Sequence, residues 1–295
     1  MACNLNKHAF LILAHRCDKT LDTLLRMLDD GRNDVFLHMD AKCADYEPAA
    51  FAQKFEHASF YSIPRRNITW GGVSLVLAEL DLLEAATNEG IYSFYHLLSG
   101  QDLPIKNQDE IHGFFDSHMG VEFVRYDLPP FHNGERVYGH WLWNKSRTTH
   151  YQNFLYRLDM IIARVAQRVV RREYDVTFQK GDQWFSIGDE FARYTVSKRN
   201  WVESLFASSI CADELFIQTL LWNSPFKNCV YRQLGEVNDD AIQRLIDWKR
   251  GAPYTFGIDD FEELKKSTLL FARKFNCGTD DKVIDAVEKM VKDFS

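Results

Sequence analysis

Short apolar runs alternate with amphipathic segments over the first 125 residues. Nearly every position of His8–Ala14 and of 35–39 is apolar, which predicts two strands buried on both faces. Helices are predicted after Asp18, a capping residue, and over 73–86, because apolar residues recur there at helical spacing. A weaker run predicts a third strand at Ser59–Ser62, and two further strands are predicted at 93–98 and 120–125. The alternation is typical of βαβ units, so we predict an α/β fold with a mostly parallel central sheet flanked by helices.

Polar residues follow three of these predicted strands. His15 follows the first strand, Asp40 follows the second, and Asp102 lies in a turn after the fourth. Parallel sheets of this kind bind ligands beyond the carboxyl ends of their strands. We therefore expect these three residues at a ligand site.

The middle of the chain differs in character from the first 125 residues. Residues 127–150 are rich in Trp, His, Asn and Arg, which indicates a long functional loop. Residues 151–172 form a predicted amphipathic helix with many arginines, which either packs on the domain or makes peripheral contact with a membrane surface. The chain ends in a predicted polar helix near 280–293. We expect one domain over 1–295, with one half over 1–125 and a second half over 126–295.

Composition narrows the class of protein. The chain has 295 residues, 46% of them hydrophobic, as expected for a globular enzyme, and its net charge of -7 argues against nucleic acid as a partner. None of the six cysteines forms a CxxC pair, and no apolar run approaches the ~20 residues of a membrane span. The amino terminus lacks the apolar stretch of a signal peptide. These features predict a cytoplasmic protein with reduced cysteines. Any contact with a membrane would be peripheral.

Seven segments resemble, in order and over nearly the whole chain, glycosyltransferase family 14, which comprises core-2/I-branching N-acetylglucosaminyltransferases and peptide O-xylosyltransferases. The resemblance implies a GT-A-type, Rossmann-like nucleotide-binding fold, a UDP-sugar donor, inversion at the anomeric carbon and no required divalent metal. It also implies that 1–125 is the nucleotide-binding half and 126–295 the acceptor and catalytic half. Because the chain lacks the membrane anchor and the disulfides of animal members, it resembles a bacterial, cytosolic member. The segments are FLILAHR (10–16), VFLHMDAK (35–42), ITWGGVSLV (68–76), FYHLLSGQDLPIKN (94–107), KGDQWFSI (180–187), ADELFIQTLL (212–221) and LFARKFN (270–276).

Glu214 is the candidate catalytic base. Inverting transfer is a single displacement, in which a carboxylate takes the proton of the attacking hydroxyl. Glu214 follows Asp213 just before a predicted apolar helix, and in the family the matching Asp-Glu pair carries the catalytic glutamate. Asp213 is a candidate substrate contact. The alternative is that both acids merely cap the helix.

The departing diphosphate needs a positive partner. Many enzymes of this fold use a metal ion held by an Asp-x-Asp motif, and the sequence contains no such motif. Arg273 and Lys274 match the basic pair that the family uses instead, and Arg250 is a second candidate by approximate position. The alternative for each is an ordinary surface charge.

Four other residues are candidate ligand contacts. The resemblance places the nucleotide pocket at the first strand ends, where His15 and Asp40 would meet uridine. Asp102 either contacts the donor or pins its turn through backbone hydrogen bonds. Trp70 either approaches the ligand or starts a helix, and Trp184 is a sugar platform or a core residue.

The donor and the acceptor stay open at this point. UDP-N-acetylglucosamine is the first expectation, and the alternatives are transfer of xylose or another hexose from the same scaffold. An inactive carbohydrate-binding homologue is a third reading. A nucleotidyltransferase would need paired metal-binding carboxylates, which the strand ends do not offer. A carbohydrate or lipid-linked glycan acceptor in bacterial surface polysaccharide synthesis is the expected setting, by analogy.

Overall fold

A five-stranded sheet lies at the centre of the computed structural model, which describes residues 7–128, 135–138, 175–207 and 209–293. Its order is β3-β2-β1-β4-β6, and all neighbouring strands run parallel except β4 and β6. The predicted α/β fold with a mostly parallel sheet is therefore confirmed. The strands are β1 (His8–Ala14), β2 (Asn33–Met39), β3 (Ser59–Ser62), β4 (Phe94–Ser99), β5 (Asp102–Pro104), β6 (Ser186–Gly188), β7 (Arg244–Ile246) and β8 (Phe271–Arg273).

Helices cover both faces of this sheet. Along β1, Ala9 and Leu11 pack into one hydrophobic cluster, while Phe10 and Ile12 pack into the other. This two-sided burial explains why the strand is apolar throughout rather than alternating. The helices are α1 (Lys19–Met27), α2 (Pro48–Ala52), α3 (Val73–Glu89), α4 (Gln108–Asp116), α5 (Glu135–Tyr138), α6 (Asp189–Ser197), α7 (Arg199–Phe206), α8 (Phe216–Trp222), α9 (Phe261–Lys266) and α10 (Lys282–Asp293).

Local sequence signals explain where several helices begin. Asp18 caps α1 as predicted, since its side chain accepts a hydrogen bond from the Leu21 backbone N–H at 3.1 Å. Asn107 and Glu110 form a capping box at the start of α4. None of the helices among the described residues is long and apolar enough to cross a bilayer.

A second, three-stranded sheet has the order β5-β8-β7. The short strand β5 follows β4 directly, and Asp102 of β5 pairs with Arg273 of β8. Strand β7 runs parallel to β8, with Ile246 opposite Arg273. Chain segments that are distant in sequence thus meet beside the carboxyl end of β4.

The carboxyl ends of β1, β2 and β4 lie together. The Asp40 N–H donates to the Ala14 carbonyl at 2.8 Å, and the Gly100 N–H donates to the Leu13 carbonyl at 2.9 Å. The predicted grouping of strand ends at one edge of the sheet is therefore confirmed. This edge carries the basic part of the candidate site.

Two predictions about local structure need revision. The expected strand over 120–125 is wrong: Glu122 and Phe123 each form only an isolated bridge, to Val230 and Ser186 respectively. Successive residues there pair with different segments, so no continuous ladder forms. The predicted loop 127–150 contains the one-turn helix α5, and the predicted helix at 151–172 lies outside the described residues.

Candidate active site

Glu214 lies in a 3₁₀ turn, Ala212–Glu214, immediately before α8. The turn begins at Cys211, whose φ of 49° is in the left-handed region that non-glycine residues rarely adopt. Its N–H donates to the Gly71 carbonyl at 2.9 Å, and Gly71 itself has a φ of 71°. The loop before α3 and the turn that carries Glu214 therefore hold each other in place.

Two basic side chains hold the Glu214 carboxylate. Arg136 of α5 donates to Oε2 at 2.6 Å, and the Lys180 ammonium lies 3.5 Å from the same oxygen. Lys180 also binds Asp127 at 2.6 Å. The Glu214 side chain is still 34% exposed, so it is oriented by its neighbours and open to a substrate.

Two buried carboxyls lie behind this turn. Burial, and next the charge of Glu214, raise the pKa of Asp213 to about 7. Burial raises the pKa of Glu79, in α3, well above its usual value, and Gln183 Nε2 donates to Glu79 Oε1 at 2.8 Å. Asp213 is only 9% exposed, so the structure favours support of the turn over the substrate contact expected for it.

Asp213→Asn should remove a pH-dependent destabilisation. The pKa of Asp213 is raised on folding from about 3.8 to about 7, so between these values the folded state binds more protons than the unfolded state and stability falls as pH rises. Relative to the parent protein, the variant should gain stability from about pH 4 to about pH 8, by roughly 4 kcal/mol at most. Urea unfolding at several pH values measures this gain. Identical pH profiles for the two proteins would contradict it, and the exposed Asp259→Asn is the matched control.

Arg273 is the centre of the basic part of the site. Its guanidinium donates to Asp102 Oδ1 at 2.6 Å and to the Ser99 hydroxyl, and it lies 4.3 Å from the centre of the Trp184 ring. Trp184 is 5% exposed. The predicted sugar platform thus has little surface left for a sugar, and in this structure it supports Arg273.

Asp102 is positioned by its own turn. It is 1% exposed, and its carboxylate accepts from the Ser99 backbone N–H and the Ser99 hydroxyl, both at 2.9 Å. The structure therefore favours the second reading of this residue: Asp102 pins the turn and orients Arg273.

Lys274 supplies an available positive charge. Its half-buried ammonium forms no hydrogen bond or ion pair with the residues that the structure describes. Burial lowers the pKa of Lys274, and the charges of Arg273 and Arg16 lower it further. These cations lie beside the end of β1 and repel one another, so an anionic ligand would stabilise them.

His15 and Asp40 lie at the same edge of the sheet. His15 is exposed by its surface area, although partial desolvation of its ring lowers its pKa. The charges of Arg16 and Lys274 lower this pKa further, and the charge of Asp40 raises it. The Asp40 carboxylate accepts from the Lys42 N–H at 2.9 Å and lies 3.3 Å from its ammonium. Asp40 is 5% exposed, so it mainly shapes the loop after β2. Of the two, His15 is the more accessible to a nucleoside.

Arg250 is engaged by three carboxylates. It donates to Asp260 at 2.6 Å, to Glu263 at 2.7 Å and to Asp247. Its guanidinium also stacks 4.3 Å from the centre of the Tyr254 ring. A diphosphate would have to displace these acids, so the structure favours Arg273 and Lys274 over Arg250.

The segment Lys180–Trp184 joins the two parts of the site. Lys180 contacts the Glu214 carboxylate, the Gly181 N–H donates to the Glu214 carbonyl at 3.0 Å, and Trp184 stacks on Arg273. The Cα atoms of Lys180 and Trp184 can lie at most roughly 14 Å apart in an extended chain. The base candidate and Arg273 therefore contact opposite ends of one short segment.

Two exposed tryptophans border this arrangement. Trp70 is 67% exposed and adjoins Gly71, which contacts the turn of Glu214. Trp248 is 50% exposed and lines a cavity of about 450 Å³ together with Arg125 and Asp182. Aromatic faces beside charged groups suit carbohydrate rings. Trp141, Trp143 and Arg147, in the predicted loop 127–150, lie outside the described residues.

Sequence reasoning missed three residues of this site. Arg136 and Lys180 hold Glu214, and Glu79 lies buried behind the turn. Lys180 was in a recognised segment, so its motif could have indicated it. Glu79 had only one signal, an acid on the apolar stripe of a helix. Nothing in the pattern around Arg136 indicated its role.

Comparison with known proteins supports a family assignment. Residues 8–267 match the model of the Core-2/I-Branching enzyme family. The human xylosyltransferase 1 is 22% identical over 98% of this chain, which corresponds to 31% of that protein. A bovine beta-1,3-galactosyl-O-glycosyl-glycoprotein beta-1,6-N-acetylglucosaminyltransferase is 23% identical over 96% of this chain and 69% of its own length.

The chain spans about a third of the length of the xylosyltransferases that it matches. Among solved structures, mouse xyloside xylosyltransferase 1 in its apo form covers 92% of this chain and 99% of its own, with 12% identity and a TM-score of 0.37, too low to carry an argument. The family match extends over most of the sequence, including every segment of the candidate site except β8 and Lys274. The chain belongs to the Core-2/I-Branching enzyme family.

Proposed function

We propose that this protein is an inverting glycosyltransferase that moves a sugar from a UDP-sugar to a carbohydrate hydroxyl without a divalent metal. Glu214 takes the proton of the attacking hydroxyl, and the Arg273 and Lys274 side chains stabilise the departing diphosphate. The observation that carries the proposal is the segment Lys180–Trp184, because it contacts the carboxylate at one end and the guanidinium at the other.

The chemistry follows from this arrangement. A base on one side of the anomeric carbon and cations on the other suit an in-line displacement with inversion. Arg136 and Lys180 fix the orientation of Glu214, so its free oxygen can meet the acceptor hydroxyl. Asp102 and Trp184 fix Arg273, which reduces the reorganisation that the leaving group requires.

The acceptor is proposed to bind near the cavity lined by Trp248, Arg125 and Asp182. Asp182 lies inside the joining segment, so a glycan in this cavity would have its end directed at the site between Glu214 and Arg273. N-acetylglucosamine is the proposed donor sugar, and xylose is the second candidate, since the curated relatives include enzymes named for each. Bacterial surface polysaccharide synthesis in the cytoplasm is the proposed setting.

Transfer should persist in excess EDTA. The cations at the end of β8 take the role that a metal ion has in other enzymes of this kind, so chelation should change the rate by less than about twofold. The experiment incubates the protein with a panel of UDP-sugars and glycan acceptors and measures UDP release and glycosylated product, with and without EDTA. A glycosyltransferase known to depend on Mn²⁺ is the positive control for chelation.

Two results would contradict the proposal in different ways. Loss of transfer in EDTA, with recovery on adding Mn²⁺, would contradict metal independence alone. Binding of glycans without product from any UDP-sugar would favour an inactive carbohydrate-binding homologue instead.

A further inference from the structure

A group of polar side chains lies at the opposite end of the central sheet from the candidate active site. His8 is the first residue of β1, and the strand extends roughly 20 Å from there to the edge where His15 lies. His112 and Asp116 of α4 lie against His8, with the His8 and His112 ring centres 4.0 Å apart. The proposed glycosyl transfer uses none of these three residues.

Their spacing brings three metal-binding atoms together. His112 and Asp116 are four residues apart on one helix, so both project from the same face. One ligand atom from each of His8, His112 and Asp116 lies within 4.8 Å of the other two. The His8 Nε2–Asp116 Oδ1 distance is 3.4 Å, close to the separation of about 3.3 Å between neighbouring ligands around a tetrahedral zinc ion.

The hydrogen bond at His112 Nε2 determines that Nδ1 is the nitrogen that faces His8 and Asp116. Asn33 donates its amide N–H groups to the Leu28 carbonyl at 3.0 Å and to Gln108 at 2.9 Å, so its Oδ1 is the atom that faces His112 Nε2 at 2.9 Å. His112 therefore carries its proton on Nε2. Its Nδ1 lone pair is buried and meets no hydrogen-bond partner among the described residues. A buried acceptor without a donor is costly unless a ligand meets it.

The far nitrogen of His8 also has a partner. His8 Nδ1 lies 3.0 Å from His96 Nε2, and His96 Nδ1 lies 2.8 Å from the Ser186 hydroxyl. With its proton on Nδ1, His8 donates to His96, which donates in turn to Ser186, and Nε2 of His8 is left as a ligand atom. Second partners of this kind orient the histidines of protein metal sites.

We propose that His8 Nε2, His112 Nδ1 and the Asp116 carboxylate bind a zinc ion that fastens α4 to the start of β1. Two imidazoles and one carboxylate are ligands that Zn²⁺ takes readily, and the fourth position would hold water. Asp116 is 43% exposed, so the ion can enter from solvent, and this side chain can turn to complete the geometry. The role is structural, because the group is remote from the site proposed for transfer.

The test titrates the full-length, tag-free protein with Co²⁺ and Zn²⁺ after chelator treatment. One Co²⁺ should bind with the visible absorption of a four-coordinate site, and Zn²⁺ should displace it. Zn²⁺ at about a hundredfold above its Kd should raise the Tm by roughly 5 °C. Since Cys17 and Cys43 lie with their sulfurs 3.7 Å apart, the titration is repeated on the Cys17→Ser/Cys43→Ser protein, which should bind as before.

Asp116→Asn should weaken Zn²⁺ binding at least tenfold, and the transfer rate should be unchanged. Asp109→Asn is the matched control on the same helix, since its side chain is 81% exposed and lies outside the group. His112→Gln should also weaken binding, and its folding is checked separately by circular dichroism. The proposal is overturned if no stoichiometric ion binds, if the cysteine substitutions abolish binding, or if both aspartate variants bind like the parent.

Discussion

Glu214→Gln should lower kcat by about 10³-fold and leave the affinity for the UDP-sugar within about threefold. A general base typically contributes 10²–10⁴-fold, and the amide cannot take the proton of the acceptor hydroxyl. The amide oxygen can still accept from Arg136, so the turn should keep its conformation. Steady-state kinetics measure the rate, and calorimetry with UDP measures nucleotide affinity.

Glu203→Gln is the matched control for this variant. Glu203 is 40% exposed and binds Arg199 at 3.2 Å, so the change removes the same charge from a comparable ion pair on another helix. It should leave kcat unaffected. If Glu214→Gln kept more than about a tenth of the parent rate, another group would have to be the base.

Lys274→Met should lower kcat by about 10²-fold and weaken UDP binding, because it removes an available positive charge from beside the leaving group. Removing Arg273 would be harder to interpret, since the buried Asp102 would then lose its partner. The methionine keeps most of the apolar length of the lysine, so the fold should be little disturbed. Calorimetry should detect the weaker binding with UDP and not with uridine, which has no phosphate.

Lys266→Met on α9 is the control for this substitution, since Lys266 is exposed on the surface. It should behave like the parent in both assays. An equal loss of affinity for uridine and UDP in Lys274→Met would mean that Lys274 shapes the nucleoside pocket and does not meet the phosphates.

The sequence pattern correctly predicted an element that is buried on both of its faces. Strand β1 was predicted with its observed ends, because a strand covered on both faces is apolar at every position. The region 120–125 also contains apolar residues suited to a strand, yet its residues pair with two separate segments. A hydrophobic pattern indicates which residues are buried, but not which strand they pair with. The isolated bridges at 120–125 therefore could not have been predicted from the sequence.

Some residues of the candidate site could be predicted from sequence motifs, and others only from the structure. Glu214, Arg273 and Lys274 came from ordered motifs, and the structure connects Glu214 and Arg273 through one segment. Arg136 reaches Glu214 across 78 residues of sequence, a contact that depends on how the chain folds back. Trp184 and Asp102 lay in motifs that indicated importance, and only their burial distinguishes support of Arg273 from contact with a substrate.

The short link from Lys180 to Trp184 has a consequence for engineering. Because Lys180 contacts Glu214 and Trp184 contacts Arg273, adding or deleting one residue between them would displace one of these contacts by about 3.3 Å. For the proposed transfer, such a shift exceeds what displacement chemistry tolerates. Redesign of the specificity proposed here should therefore substitute the exposed Trp70 and Trp248 and keep the number of residues between Lys180 and Trp184 unchanged.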